Sequence, residues 1–300
     1  MQRTKRLRHG FFKTYGAGLL FAGPFLIFFF VFMILPIGNA LYMSLTNYDM
    51  IQKPQFVGIA NYQQLFMYDD VFLTALRNTL LYAVIAGPAT YLMSFFMAWI
   101  INQLKGKNAF ALAFYAPSIT SSVAMSVVWL YFFSPDRYGF INDILFNLGI
   151  IQTPVLWTTD HRTVLFVVIF ISIWMGMGNG FLVFMAGLQN ASQELLDAGS
   201  VDGIGNSLQQ LWYITLPQMK PQLLFGAINS IVGALAVFDV PVAVAGLPSP
   251  NYAAHTLVAH LYDYAFTRYQ MGYACAVAMV LFVMTFLLGR VFFRLLSDRD

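Results

Sequence analysis

The side chains able to do chemistry are few in this sequence, and their spacing excludes most of the chemistry they could do. His255 and His260 stand five residues apart, whereas two metal ligands sharing a helix face stand about four apart. No cysteine lies near them. His161 follows Asp160 in a polar stretch and reads as a solvated side chain. The single cysteine, Cys275, sits in an apolar run; it excludes an internal disulfide and reads as a small packing residue. A phosphate-cradling loop needs spaced glycines, a lysine and a hydroxyl. The only Gly-Lys pair, Gly106-Lys107, precedes Asn108 and has Ile101 where the first glycine belongs. The chain is therefore expected to hydrolyse no ATP and to bind no metal or cofactor.

The remaining candidates are polar groups embedded in apolar sequence. Asn179, Asn229, Ser230 and Ser118 are of this kind, as is the glycine-rich run Trp174-Met175-Gly176-Met177-Gly178. Hydrogen bonding between helices accounts for such residues. A sugar pathway is the other reading, because amides and hydroxyls match sugar hydroxyls while Phe238 and Trp174 offer apolar contact to ring faces. Asp239 is the one acid that falls at membrane depth. It reads either as a functional group or as a carboxylate wetted from outside. Acids are otherwise too sparse for the proton relay of a secondary carrier.

These residues presuppose elements that hold them, and the composition says in which solvent. Of 300 residues 59% are hydrophobic and 10% charged, against about 25% charged in a soluble domain. Mean hydropathy is +0.67, so the expected solvent is lipid. The net charge of +3 gives no basic surface for nucleic acid. A spanning helix needs about 20 apolar residues. The charge-free intervals place six spans near residues 17–42, 78–102, 109–133, 163–188, 222–245 and 270–290. The first is too long for a secretory signal, whose apolar region runs about 7–15 residues. The interval 144–159, with Gly149 and Pro154, reads as a surface loop. Pro24, Pro36, Pro88 and Pro117, with Gly23 and Gly87, fall in or beside the spans. They fit ordinary bundle packing or kinks that open a central cavity.

Six crossings put both termini on one side, and the positive-inside rule chooses it. With the termini inside, the inner segments hold Arg3, Lys5, Arg6, Arg8, Lys13, Lys105, Lys107, Lys220, Arg290, Arg294 and Arg299. The outer segments hold only Lys53, Arg77, Arg137, Arg162 and Arg268. The reading is a cytoplasmic basic segment at 1–16 followed by a membrane domain at 17–300.

The loop at 189–221 is then cytoplasmic and longer than a helix–helix link needs. It reads helix, turn, helix. Ser192 or Asn190 caps a short helix with Glu194 in its first turn. Gly203 and Gly205 break it, and Ser207 with Gln210 forms a capping box for a second helix. Trp212, Ile214 and Leu216 make that second helix apolar, and Pro217 and Pro221 end it. Such an elbow suits a groove on another protein; a helix resting on the membrane interface is the alternative.

The run Glu194-Leu195-Leu196-Asp197-Ala198-Gly199-Ser200-Val201-Asp202-Gly203, followed by Ile214-Thr215-Leu216-Pro217 and Lys220-Pro221, resembles the EAA loop of binding-protein-dependent ABC importer permeases. Asp197-Ala198-Gly199 stands where that motif has Glu-Ala-Ala. Phe56-Val57-Gly58-Ile59-Ala60-Asn61-Tyr62, Leu65-Phe66 and Asn78-Thr79-Leu80 are similar to the stretch before helix 2 in the carbohydrate, maltose-type subclass. Ser134-Pro135-Asp136, Gly139-Phe140-Ile141-Asn142, Ala186-Gly187-Leu188-Gln189 and Met271-Gly272-Tyr273-Ala274 extend the resemblance across the chain. Ala245-Gly246-Leu247-Pro248 stands where the family usually has Gly-Gly-Gly-Pro.

The resemblance implies an all-α integral membrane protein with six transmembrane helices in the type I ABC importer permease fold. It implies a multi-pass subunit of the bacterial cytoplasmic membrane, surrounded by membrane lipid. Expected partners are a second homologous permease, two ATPase subunits that hold ATP and Mg²⁺, and an extracytoplasmic solute-binding protein. The coupling loop would use Glu194, Leu195, Asp197, Ala198, Gly199, Asp202, Gly203, Leu216 and Pro217. Ser118, Met175, Gly176, Asn179, Ser230 and Val237 would approach the translocated carbohydrate, joined by Asn229, Phe238 and Asp239 from the reading above. A non-sugar solute such as a polyol phosphate is the first alternative, and a secondary carrier or channel the second.

Overall fold

Among the described residues of the computed structural model, five helices are long and apolar enough to cross a membrane, six if a bent pair counts as one span. The structure describes Gly18, residues 20–190 and residues 192–296. The basic segment expected at 1–16 and Arg299 lie outside the described residues.

Helix α1 spans Leu20–Ser44. It passes through a π-helical stretch at Phe30–Ile34, just ahead of Pro36. Pro36 lacks an N–H and crowds the carbonyl four residues back, and the wider turn absorbs that misfit. A two-stranded hairpin follows, β1 (Thr46–Asn47) against β2 (Gln55–Phe56), with Thr46 opposite Phe56. Gly58 has φ +62, a left-handed conformation that glycine adopts freely. The buried Asn61 in α2 (Ala60–Gln63) donates to the carbonyls of Ser44 and Thr46 at 2.8 and 2.9 Å.

The second span is α3 (Asp70–Asn102), one helix through Pro88. The third differs from the single helix expected at 109–133. It is α4 (Lys107–Ile119) and α5 (Ser122–Phe132), bent by 94°. Pro117 removes one ladder bond near the end of α4. Beside it, Ser118 and Thr120 donate their hydroxyls to the carbonyls of Tyr115 and Ala116. Such back-bonding competes with the helix ladder and bends helices.

The interval expected to be loop begins inside α6 (Phe140–Asn147) and is irregular beyond it. The fully buried Asn142 holds that region together. Its Nδ2 donates to the carbonyls of Ser134, Asp136 and Val155, and its Oδ1 accepts from Val155 N and Trp157 Nε1. The fourth span is α7 (Val164–Gln189). It shares its largest interface with α3. The two approach closely because Gly176 and Gly180 face Thr90 and Ser94, and Ser94 Oγ donates to Met177 O at 2.7 Å.

An elbow, α8 (Gln193–Val201) and α9 (Ser207–Gln210), leads into α10 (Lys220–Leu235). The fifth span, expected as one helix at 222–245, is also broken. Residues 236–238 are unwound before α11 (Asp239–Ala245). Pro241 explains the break: it has no N–H to offer the carbonyl of Val237. That carbonyl instead takes the hydroxyl of the fully buried Thr256 at 3.0 Å.

Beyond Gly246 and a cis Leu247–Pro248 bond, α12 (Leu257–Tyr262) precedes the last span, α13 (Met271–Leu296). Asn78 Nδ2 donates to the carbonyls of Tyr252 and His255, and Thr79 Oγ1 accepts from Leu257 N. Asp69 ties three helices together. One oxygen caps α3 by accepting from Phe72 N at 2.8 Å. The other accepts the hydroxyls of Tyr264 and Tyr273 and faces His260 Nε2 at 3.4 Å.

Two predictions follow from this packing. A Cβ on Gly272 would collide with the carbonyl of Thr46, whereas Gly289 has open space around it. Gly272→Val therefore destabilises the protein by about 1–3 kcal/mol, the usual range for overpacking, while Gly289→Ala leaves it unchanged; thermal unfolding in detergent reads both. Burial first, and the neighbouring His260 second, lower the His255 imidazole from 6.5 to about 4. An unfolded chain takes up that proton at the higher value, so stability is full above it and falls as pH drops from 6.5 toward about 4. A melting temperature that stays level through that window would contradict this enclosure.

Candidate functional site

Two adjoining cavities lie between α3, α7 and α10, and between α7, α4, α5 and α11. The first is about 440 Å³ and the second about 430 Å³. Tyr82, Ser172 and Gly176 border both. Gly176, Asn179, Asn229 and Ser230 line the first cavity. Ser118, Met175, Gly176, Val237, Phe238 and Asp239 line the second. The structure thus brings all nine candidate pathway residues onto one continuous pair of walls, from four separate stretches of sequence.

The local reasons differ from residue to residue. At Gly176 the approach of α3 is close: a Cβ there would lie 3.1 Å from Thr90 Cγ2. Ser230 donates to the carbonyl of Gly87 at 2.8 Å, joining α10 to α3. Asn179 and Asn229 are exposed to the open space. Val237 and Phe238 belong to the unwound segment of the fifth span. Asp239 opens α11, is exposed, and accepts from Ser122 Oγ at 3.0 Å. Ser122 begins α5 just past the 94° bend. The two broken spans therefore meet across the second cavity. Phe238 lies on that wall with its ring against Tyr262, centroids 5.0 Å apart. Trp174 does not line either cavity; it packs edge-on against Trp129 at 5.2 Å, in a cluster with Phe132, Phe133 and Phe170.

Sequence reasoning missed several lining groups. Thr90 and Ser94 sit one turn apart on α3, and Tyr82 and Tyr91 share that helix. Their signal was weak, because a hydroxyl within an apolar helix marks helix packing just as well. Pro241 did announce the unwound segment, since a proline interrupts the ladder of any helix written through it.

The elbow holds the second set of candidates. Ser192 occupies the N-cap of α8 without a side-chain cap, whereas Asn190 ends α7. Glu194 lies in the first turn of α8. The helix stops in a Schellman motif: Ile204 N donates to Gly199 O at 2.9 Å and Gly203 N to Ser200 O at 3.3 Å. Gly203 has φ +92, which demands glycine. Gly199 packs against Ile214, whose Cδ1 would have to move aside for a Cβ there. Ala198, Asp197 and Asp202 face outward.

The expected capping box at Ser207 and Gln210 lies one residue earlier. Asn206 caps α9 by accepting from Gln209 N, and Gln209 Oε1 accepts from Gly205 N. The second helix stops between the two prolines, at Gln218. A π-helical stretch at Leu211–Thr215 carries the chain on into Leu216–Gln218, with Pro217 in its first turn. Pro221 occupies the first turn of α10, where its missing N–H is harmless. Gln218 Oε1 accepts from Ser192 N at 3.0 Å and closes the elbow.

The elbow's outer surface is apolar. Leu195 is 52% exposed, Val201 88% and Trp212 69%. Their neighbours Glu194, Asp197 and Asp202 add carboxylates to it. No group of three or more potential metal ligands occurs among the described residues.

Comparison with known proteins agrees with this architecture. Residues 90–299 match the model of the binding-protein-dependent transport system inner membrane component family. The chain is 34% identical to the probable ABC transporter permease protein YesP of Bacillus subtilis, covering 98% of this chain and 93% of that protein. It is 30% identical to the arabinooligosaccharides transport system permease protein AraP of Bacillus subtilis, covering 95% and 90%. It is 31% identical to the lactose transport system permease protein LacF of Rhizobium radiobacter, covering 94% of each. A crystal structure of a bacterial ABC transporter that imports the acidic polysaccharide alginate has a chain with the same fold, at a TM-score of 0.80 and 21% identity over 97% of this chain and 98% of that one. The apolar spans are those of a multi-pass inner-membrane protein, and the chain belongs to the binding-protein-dependent transport family as a non-catalytic permease subunit of an ABC importer.

Proposed function

We propose that this subunit conducts a carbohydrate through the two cavities and that its elbow is the coupling element on which an ATPase subunit acts. The observation that carries the proposal is the path of α7. This one helix lines both cavities at Gly176 and runs unbroken to Gln189 at the foot of the elbow. At about 1.5 Å per residue that is a rigid lever of roughly 20 Å. A displacement of the elbow moves the cavity wall without any further relay.

The exposed Leu195, Val201 and Trp212 give the elbow an apolar face suited to a protein groove. The carboxylates of Glu194, Asp197 and Asp202 surround it. We infer that two ATPase subunits carrying ATP and Mg²⁺ bind on this side, that a second homologous permease completes the pathway, and that a solute-binding protein delivers the ligand at the opposite face. The distribution of Lys and Arg supports a cytoplasmic elbow and cytoplasmic termini. AraP, LacF and the diacetylchitobiose uptake system permease protein NgcF of Streptomyces coelicolor are named for oligosaccharides or disaccharides. Hydroxyl and amide groups along both cavities suit solutes of that kind.

Two predictions test the two halves of this reading. Gly203→Pro forces φ from +92 to near −65° and removes the Gly203–Ser200 bond; with Asp202→Lys it weakens copurification of the ATPase subunit by about tenfold or more, a loss of about 1.4 kcal/mol. Gly205→Ala, at a position with open space, keeps the complex intact. An undiminished complex in the first two variants would remove the elbow from its proposed role. Gly176→Trp and Ser230→Leu fill the cavities, and solute uptake by the assembled importer drops by about two orders of magnitude while the complex still forms. Wild-type uptake in both would refute the path.

A further inference from the structure

We propose that the transported sugar is uncharged and that Asp239 is the specificity-determining residue that turns anionic sugars away. This deepens the carbohydrate reading and rests on it. The first cavity offers Thr90, Ser94, Asn179 and Asn229 as polar groups, all neutral. The second adds the hydroxyls of Ser118 and Ser122 and one carboxylate, Asp239. Among the described residues that line the cavities there is no Lys, Arg or His.

A carboxylate or phosphate that leaves water for a confined space needs a cation or several strong donors in exchange. Proteins that take up such groups supply Arg or Lys. Here the walls supply neutral amides and hydroxyls, which match the hydroxyls of a neutral sugar as both donor and acceptor. The single charge on the walls has the sign that repels an anion. Asp239 is fixed in place rather than swinging free: its Oδ2 accepts from Ser122 at 3.0 Å, and it occupies the first turn of α11, where the helix dipole favours a negative side chain. Its exposure toward the cavity leaves the other oxygen able to accept from a passing sugar hydroxyl. A uronate or a sugar phosphate would meet that carboxylate with no cation among the described lining residues of this subunit to offset it. A polyol phosphate is disfavoured as the solute on the same ground.

The test is uptake by membrane vesicles that carry the complete importer with its binding protein. The probes are neutral oligosaccharides and uronate-bearing ones of matched length, applied to wild type, Asp239→Asn and Asp239→Glu. Wild type is expected to take up neutral members and exclude the uronates. Asp239→Asn raises the ratio of uronate to neutral uptake by about tenfold or more, and Asp239→Glu restores the wild-type ratio. Uptake of uronates by wild type as fast as neutral sugars overturns the proposal. So does an Asp239→Asn variant that assembles with its partners, judged by co-elution, and keeps the wild-type ratio. Uptake of no probe at all by wild type, with ATP hydrolysis intact, removes the carbohydrate reading itself and this inference with it.

Discussion

A backbone group placed in lipid has no water to bond, so each one must find a partner inside the protein. The structure is organised by that constraint. Where the chain is helical the ladder meets it. Where the chain is irregular, single amides and hydroxyls meet it. Asn142 serves three carbonyls and one backbone N–H around the segment after α5. Asn61 serves two carbonyls at the end of α1, and Asn78 serves two beside α12. Thr256 takes the carbonyl that Pro241 leaves open in the fifth span. These residues are buried because a partly satisfied network in such surroundings is costly.

The same constraint explains why the breaks lie where the solute would pass. Unwound backbone at membrane depth is tolerated where it borders a cavity. The bend at residues 120–121 and the unwound residues 236–238 both adjoin the second cavity, and Ser122 and Asp239 join them across it. Around the first cavity the helices are unbroken, and glycine does the shaping. Gly176 and Gly180 admit α3, and Gly226 admits the ring of Phe184, whose Cζ would lie 2.7 Å from a Cβ there. Small residues let helices approach closely in a solvent that gives them no hydrophobic reason to associate. The first cavity is thus shaped by close packing and the second by interruption, with α7 common to both.

The elbow obeys different rules because it lies outside the candidate spans. Its turn is set by the positive φ of Gly203 and the bonds that end α8 there. Its packing is set by Gly199 against Ile214, and Gln218 ties its two ends together through Ser192. The short helix and its stop at Gly203 were legible in advance, since caps, turns and glycines act within a few residues of one another; the contacts of Gly199 with Ile214 and of Gln218 with Ser192 were not. The register error at Asn206 has a simple cause: Asn206 and Ser207 are adjacent and both cap helices well, so local chemistry alone could not choose between them.

The sequence by itself determined the solvent, the six apolar stretches and the elbow, because composition, hydrophobic run length and capping are properties of neighbouring residues. It also marked polar residues inside apolar runs, without saying whether each bonds another helix or faces a void. Only the tertiary structure decided that. Ser230 does both, reaching Gly87 across 143 positions of sequence while bordering the first cavity. The Asp69 hub gathers Tyr264 and Tyr273 from 195 and 204 positions away, and no local pattern announces such a meeting. A span written as one apolar run can be straight, like α7, or bent by 94°, like α4 and α5. Local hydroxyls attend the bend between α4 and α5, whereas the break in the fifth span is met by Thr256, 19 positions from Val237, and that meeting is a fact of packing rather than of sequence order.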